Sequence, residues 1–80
     1  MRVAEAVADG AAELAEARVA SPRVDAELLA AYVLGIPRWR LAAVERFTNG
    51  QAKWYRDLID RRATRVPLQH ITGTAPFRTA

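Results

Sequence analysis

The sequence predicts an all-α fold: a small helical bundle of four to five helices followed by a short extended tail. Three observations carry this expectation. Apolar residues recur at helical spacing in separate stretches, and Ser, Thr, Gly and Pro stand where such stretches should start and stop. Of the 41 apolar residues, 17 are alanine, the strongest helix former, which leaves 24 large apolar side chains for a core. At 80 residues the chain buries roughly 60% of its unfolded surface or slightly more. That suffices for a helical bundle and is too little for a complete Rossmann-type catalytic domain.

The first helix is expected from Val3 to about Val19. Val3, Val7, Gly10, Ala11, Leu14 and Ala17 fall on one side, with Glu5, Asp9, Glu13 and Glu16 on the other. Gly10 lies inside the apolar stripe, where it costs about 1 kcal/mol against alanine, so a closely approaching neighbour helix is expected there. Ser21-Pro22 opens a second helix, with the serine as cap and the proline at the first helical position. That helix runs through Leu28, Leu29 and Tyr32 and stops at Gly35. Pro37 opens a short third helix through Trp39, Leu41 and Val44. After the turn at Phe47-Thr48-Asn49-Gly50, Thr48 or Asn49 caps a fourth helix from about Gln51 to Arg65. Leu68-Gln69-His70-Ile71 is too short for an ordinary helix, and Thr72-Gly73-Thr74 with Ala75-Pro76-Phe77 reads as a turn entering an extended segment.

Two charges sit on the wrong faces. On a helical wheel Asp25 points with Leu28, Leu29 and Tyr32, and Arg62 lies amid Tyr55, Leu58 and Ile59. Burying either alone costs several kcal/mol, so the economical reading is that they meet as a structural ion pair and fix the register of two helices. The alternatives are a general acid or base role for Asp25, or a carboxylate facing the positive end of its own helix.

The remaining chemistry is mostly exclusion. Without cysteine, and with His70 as the one histidine, thiolate zinc sites, iron–sulfur clusters and multi-histidine metal sites are impossible. The four glycines are scattered singly, so no phosphate-cradling loop exists. Ser21, the one serine, is accounted for as a cap. His70 is read as a packed, hydrogen-bonded side chain. No apolar run approaches the ~20 residues of a membrane span, and acids interrupt the opening stretch, so a cytoplasmic chain is expected. Residues 1–37 carry three bases against six acids, and residues 38–80 carry nine bases against three acids, which makes the chain a dipole. Eleven of its twelve bases are arginine, suited to pairing with carboxylate or phosphate. Trp39 and Trp54 either fill the core or anchor an interface.

The run Ser21-Pro22-Arg23-Val24-Asp25-Ala26-Glu27-Leu28-Leu29, the Arg61-Arg62 helix end and Val66-Pro67-Leu68-Gln69-His70-Ile71-Thr72-Gly73 follow one another in an order that resembles a known family. It is similar to the amino-terminal region of the bacterial peptide chain release factor glutamine methyltransferases, the PrmC or HemK family. The resemblance implies a helical substrate-interaction domain over residues 1–71 and, over residues 72–80, the start of a β-hairpin linker to a methyltransferase domain absent from this chain. It implies release factors as the protein substrate, methylated on the glutamine of a Gly-Gly-Gln motif, and S-adenosylmethionine as the cofactor of the parent enzyme. This fragment itself is expected to bind no cofactor and to be inactive alone. Phe77 matches an aromatic position that lies near the glutamine pocket in the family.

The expected docking surface comprises Trp54, Arg56 and Arg61, with Phe77 as a substrate-proximal residue. A basic helical module binding nucleic acid is the alternative reading. Asp57 and Asp60 break its basic stripe and no stacking platform accompanies it. A helical oligomerisation domain is the third.

Overall fold

The computed structural model describes residues 1–71. These residues form four α-helices: α1 (Val3–Glu16), α2 (Pro22–Leu34), α3 (Asn49–Ala63) and the short α4 (Leu68–Ile71), with a 3-10 helix at Arg38–Ala43 between α2 and α3. The expected all-α bundle is therefore the observed one. The start of the hairpin over residues 72–80 lies outside the described residues.

α2 is the central helix, packed on α1, α3 and the 3-10 helix. Its position explains why its buried face differs from the expected one. Ala26, Leu29, Ala30, Ala31 and Val33 are buried together with Asp25, whereas Leu28 and Tyr32 are only half-buried. A helix touched on several sides buries a broad arc, and alanine lets its neighbours approach closely. On α1 the buried stripe is Val3, Ala6, Val7, Gly10 and Leu14, close to the expected pattern. Gly10 is needed there: a Cβ at this position would lie 2.8 Å from Cδ1 of Ile59 and 2.9 Å from the Tyr55 hydroxyl. α1 and α3 thus touch through a glycine.

The helix ends follow one scheme. At the ends of α1, α2 and α3, residues Arg18, Gly35 and Arg65 take left-handed backbone, with φ of 66°, 70° and 75°. The following residue reaches back to a carbonyl of the last turn, as in Val19 N to Leu14 O at 3.0 Å and Ile36 N to Ala31 O at 3.1 Å. This closure satisfies carbonyls that would otherwise lack donors. It also ends α1 at Glu16 and α3 at Ala63, short of the expected Val19 and Arg65.

The starts differ among themselves. Thr48 and Gln51 form a reciprocal capping box on α3, the Thr48 side chain accepting from Gln51 N at 3.1 Å and the Gln51 side chain accepting from Thr48 N at 2.9 Å. Ser21 occupies the cap position of α2, but its side chain makes no capping hydrogen bond, contrary to expectation; its carbonyl accepts from Asp25 N at 3.0 Å. The third helix is a 3-10 helix with no buried residue. The chain start is pinned by antiparallel pairing, with Val3 N donating to Glu45 O and Phe47 N to Met1 O, both at 2.9 Å. Phe47 is thereby delivered into the core, tilted against the Tyr55 ring at 5.2 Å.

Candidate functional site

Asp25 and Arg62 come together in the seam between α2 and α3. Arg62 Nε donates to Asp25 Oδ2 at 2.9 Å, and Arg62 Nη1 donates to the Val66 carbonyl at 3.2 Å. Both side chains are largely covered, at 19% and 13% exposure for Arg62 and Asp25. Beside them the Tyr55 hydroxyl donates to the Ala26 carbonyl at 2.9 Å, and burial pushes the ionisation of this phenol upward. The side chains of Asp25, Arg62 and Tyr55 each bond to a group of the bundle itself. That arrangement welds two helices and offers no reactive atom to a substrate.

The expected docking residues divide between two faces of α3. Trp54 and Arg61, seven positions apart, share one side, and Arg56 lies about 140° from Arg61 around the helix. Trp54 is 43% exposed and sets its ring edge against Tyr32 at 5.6 Å. Arg56 and Arg61 are exposed. Arg56 lies across from α1, where its charge pulls down the ionisation of Glu13 while Asp60 pushes it up more strongly, first by a hydrogen bond between the two carboxyls. His70 is exposed, so the expectation of a packed, hydrogen-bonded histidine is corrected: α4 is a single turn, and it buries Ile71 in place of its neighbour. Phe77 lies outside the described residues. Among the described residues no group of three or more His, Cys, Asp or Glu side chains is placed to hold a metal, and no helix is long and apolar enough to cross a membrane.

A surface that the sequence did not single out lies on the opposite flank of α2. An open groove of about 600 Å³ is bounded by the start of α1, the first half of α2 and the 3-10 helix. On its wall Glu27 accepts from Arg23 Nε and from Arg38 Nε, each at 3.0 Å. The Arg23 bond, more than the Arg38 bond, holds the Glu27 carboxyl below its ordinary ionisation range. Trp39 stands at the rim, 80% exposed, with Arg40 lying 5.7 Å from its ring centre. The one signal in the sequence was the Arg38-Trp39-Arg40 triplet. The sequence left its tryptophan open between the core and an interface, and the structure puts it outside the core.

The geometry is that of a small helical module, and comparison with known proteins identifies its family. A family model described as the PrmC N-terminal domain matches residues 5–73. The chain is 46% identical over 76 residues to the release factor glutamine methyltransferase of Mycolicibacterium smegmatis, which covers 95% of this chain and 27% of that protein. It is 47% identical over 77 residues to the protein of the same name from Mycobacterium tuberculosis strain H37Rv, covering 96% and 25%. A similar relative from Streptomyces coelicolor is 47% identical over 72 residues, covering 90% and 25%. The chain therefore spans about a quarter of the length of the curated relatives it matches. No solved structure matches. Since the family model takes in most of the helical bundle and the relatives align along nearly all of this sequence, the chain belongs to the PrmC N-terminal domain family.

Proposed function

We propose that this chain is the release-factor-docking domain of an S-adenosylmethionine-dependent protein-glutamine N-methyltransferase acting on the Gly-Gly-Gln motif of peptide chain release factors. The observation that supports this reading is the similarity itself, high over the whole bundle and confined to a quarter of each relative. The described residues do not fit S-adenosylmethionine. They hold no strand followed by a glycine-rich turn, and their β pairing is a single bridge between Arg2 and Arg46. In this reading methyl transfer belongs to the part of the relatives' length that this chain does not span, and takes place in the cytoplasm. The contribution of the bundle is positional. Holding a substrate loop against a reactive centre lowers the barrier by several kcal/mol without supplying any catalytic group.

Trp54 with Arg61 on one side of α3, and Arg56 on the next, form the contact surface of this reading. Charge reversal at both arginines, Arg56→Glu with Arg61→Glu, in the full-length methyltransferase should raise KM for the release factor and leave kcat in place. Unchanged kinetics would remove this surface. The 80-residue chain alone, mixed with release factor and S-adenosylmethionine, should transfer no methyl group, as read by mass spectrometry of the glutamine-bearing peptide; transfer would overturn the assignment of the chemistry to the rest of the protein.

A further inference from the structure

We infer that the groove beside Trp39 docks an acidic segment of the partner protein, one that carries an aromatic or aliphatic anchor between its carboxylates. The inference rests on the docking reading above and gives it a second, separate surface.

Trp39 is the starting point. At 80% exposure it stands far outside the range of the other exposed large apolar side chains, Met1, Val24 and Trp54, which are 38% to 43% exposed. Tryptophan is among the residues that contribute most to binding when an interface covers them. The 3-10 backbone at Arg38–Ala43 holds it there without any buried residue of its own. Val7, Leu41 and Val44 add apolar surface to the lining of the groove. The volume of about 600 Å³ falls within the roughly 300–1,000 Å³ of clefts that take a ligand group.

Charge selects the occupant. Arg2, Arg23 and Arg38 line the groove against Glu27 and Glu45, and Arg40 lies over the Trp39 ring at its rim. Glu27 is shared by two guanidiniums through their Nε atoms, which orients both and leaves the terminal nitrogens of each fork as donors for an incoming carboxylate. A nucleic acid suits the groove less well. Two carboxylates face any phosphate backbone there, an apolar floor offers nothing to a ribose, and among the described residues no second aromatic pairs with Trp39 to stack a neighbouring base. An acidic peptide with one apolar anchor satisfies both the floor and the rim.

The test compares two substrates of the full-length methyltransferase, the intact release factor and a short Gly-Gly-Gln peptide that reaches the chemistry without remote docking. Trp39→Ala should raise KM for the release factor about tenfold, with KM for the short peptide and kcat unchanged. Arg38→Glu should do the same, and its deficit should shrink as added salt screens the wild-type attraction. Trp39 carries no core contact, so its variant also controls for the loss of the Arg38–Glu27 pair, and melting curves of both verify folding. Unchanged KM in both variants, or an equal loss on both substrates, overturns the groove. So does single-stranded RNA binding that Trp39→Ala abolishes while release factor kinetics stay intact. If the Arg56 and Arg61 reversal raises KM and the groove variants do not, the docking reading stands and the groove alone falls. If removing residues 1–71 leaves KM for the release factor unchanged, both fall.

Discussion

Asp25 and Arg62 were marked by their sequence neighbours, since each is one charge inside an apolar stripe. What the wheel could not contain was the Val66 carbonyl, which takes a second donor of Arg62 and ties the end of α3 into the same knot. Removing one partner strands the other in a mostly covered seam, so Asp25→Asn should cost about 2 kcal/mol. A double-mutant cycle with Arg62→Met should return a coupling above about 0.5 kcal/mol in denaturant titrations; strict additivity would show that the pair contributes nothing beyond its two members. Gly10 makes the complementary case, where nothing is present and nothing fits. Alanine would gain about 1 kcal/mol of helix propensity but drive a methyl into Ile59 and into a Tyr55 hydroxyl held by Ala26. Overpacking costs about 1–3 kcal/mol, so Gly10→Ala should lose about 1 kcal/mol net on thermal melting. Two glutamates should respond to pH in opposite senses. Asp60, then burial, raise the ionisation of Glu13, so the folded state holds that proton more tightly than the unfolded chain. The associated stability is complete below the ordinary value of 4.5 and is lost as pH rises through the elevated folded value. Glu13→Gln should therefore stabilise the protein at neutral pH, and the gain should vanish on acidification. Glu27, lowered by Arg23 and then Arg38, contributes above 4.5 and loses that contribution as pH falls through its depressed value.

At the scale of elements, the starts and stops of helices show where local sequence is a sufficient guide. Gly35 and Thr48 are local signals with local mechanisms, a missing Cβ and a hydroxyl in reach of a free amide, and both act as their chemistry suggests. Arg18 and Arg65 carry no such signal. They adopt a left-handed backbone because Val19 and Val66 behind them turn inward, an energetic gain that appears only once there is a core to turn towards. A side chain with a Cβ costs about 1–2 kcal/mol in that conformation. Arg65→Gly should thus stabilise by about 1 kcal/mol after the entropy of glycine in the unfolded chain is subtracted, measured as an upward shift in the denaturation midpoint. Thr48→Ala should lose about 1 kcal/mol by the same measurement. The 3-10 helix at Arg38–Ala43 is the element the apolar pattern misrepresented. Trp39, Leu41 and Val44 were consistent with a buried stripe, yet the segment crosses the end of the bundle too briefly to bury one.

For the molecule as a whole, the separation of charge along the chain is not a separation in space. Arg38 and Arg62, from the basic half, pair with Glu27 and Asp25, from the acidic half, so two of the three ion pairs among the described residues join the halves. The fold turns a linear dipole into seams that hold helices together and a groove rimmed with arginine. Because the chain start is tied beside Phe47 and α2 touches three neighbours, the bundle should unfold in one transition. In a Trp39→Phe variant, fluorescence of Trp54 at the α2–α3 seam and far-ultraviolet circular dichroism should give coincident melting curves; separated curves would reveal a helix pair that opens alone. By itself the sequence determined the helical class, most helix boundaries to within a turn, the inward ion pair and the family, because periodicity, caps and motif order are properties of neighbours along the chain. Only the tertiary structure decided that Trp39 faces solvent, that His70 is exposed, and that arginines from distant positions converge on one groove. Those outcomes depend on which faces other elements cover, and coverage is a contact between residues far apart in sequence, invisible to any local pattern.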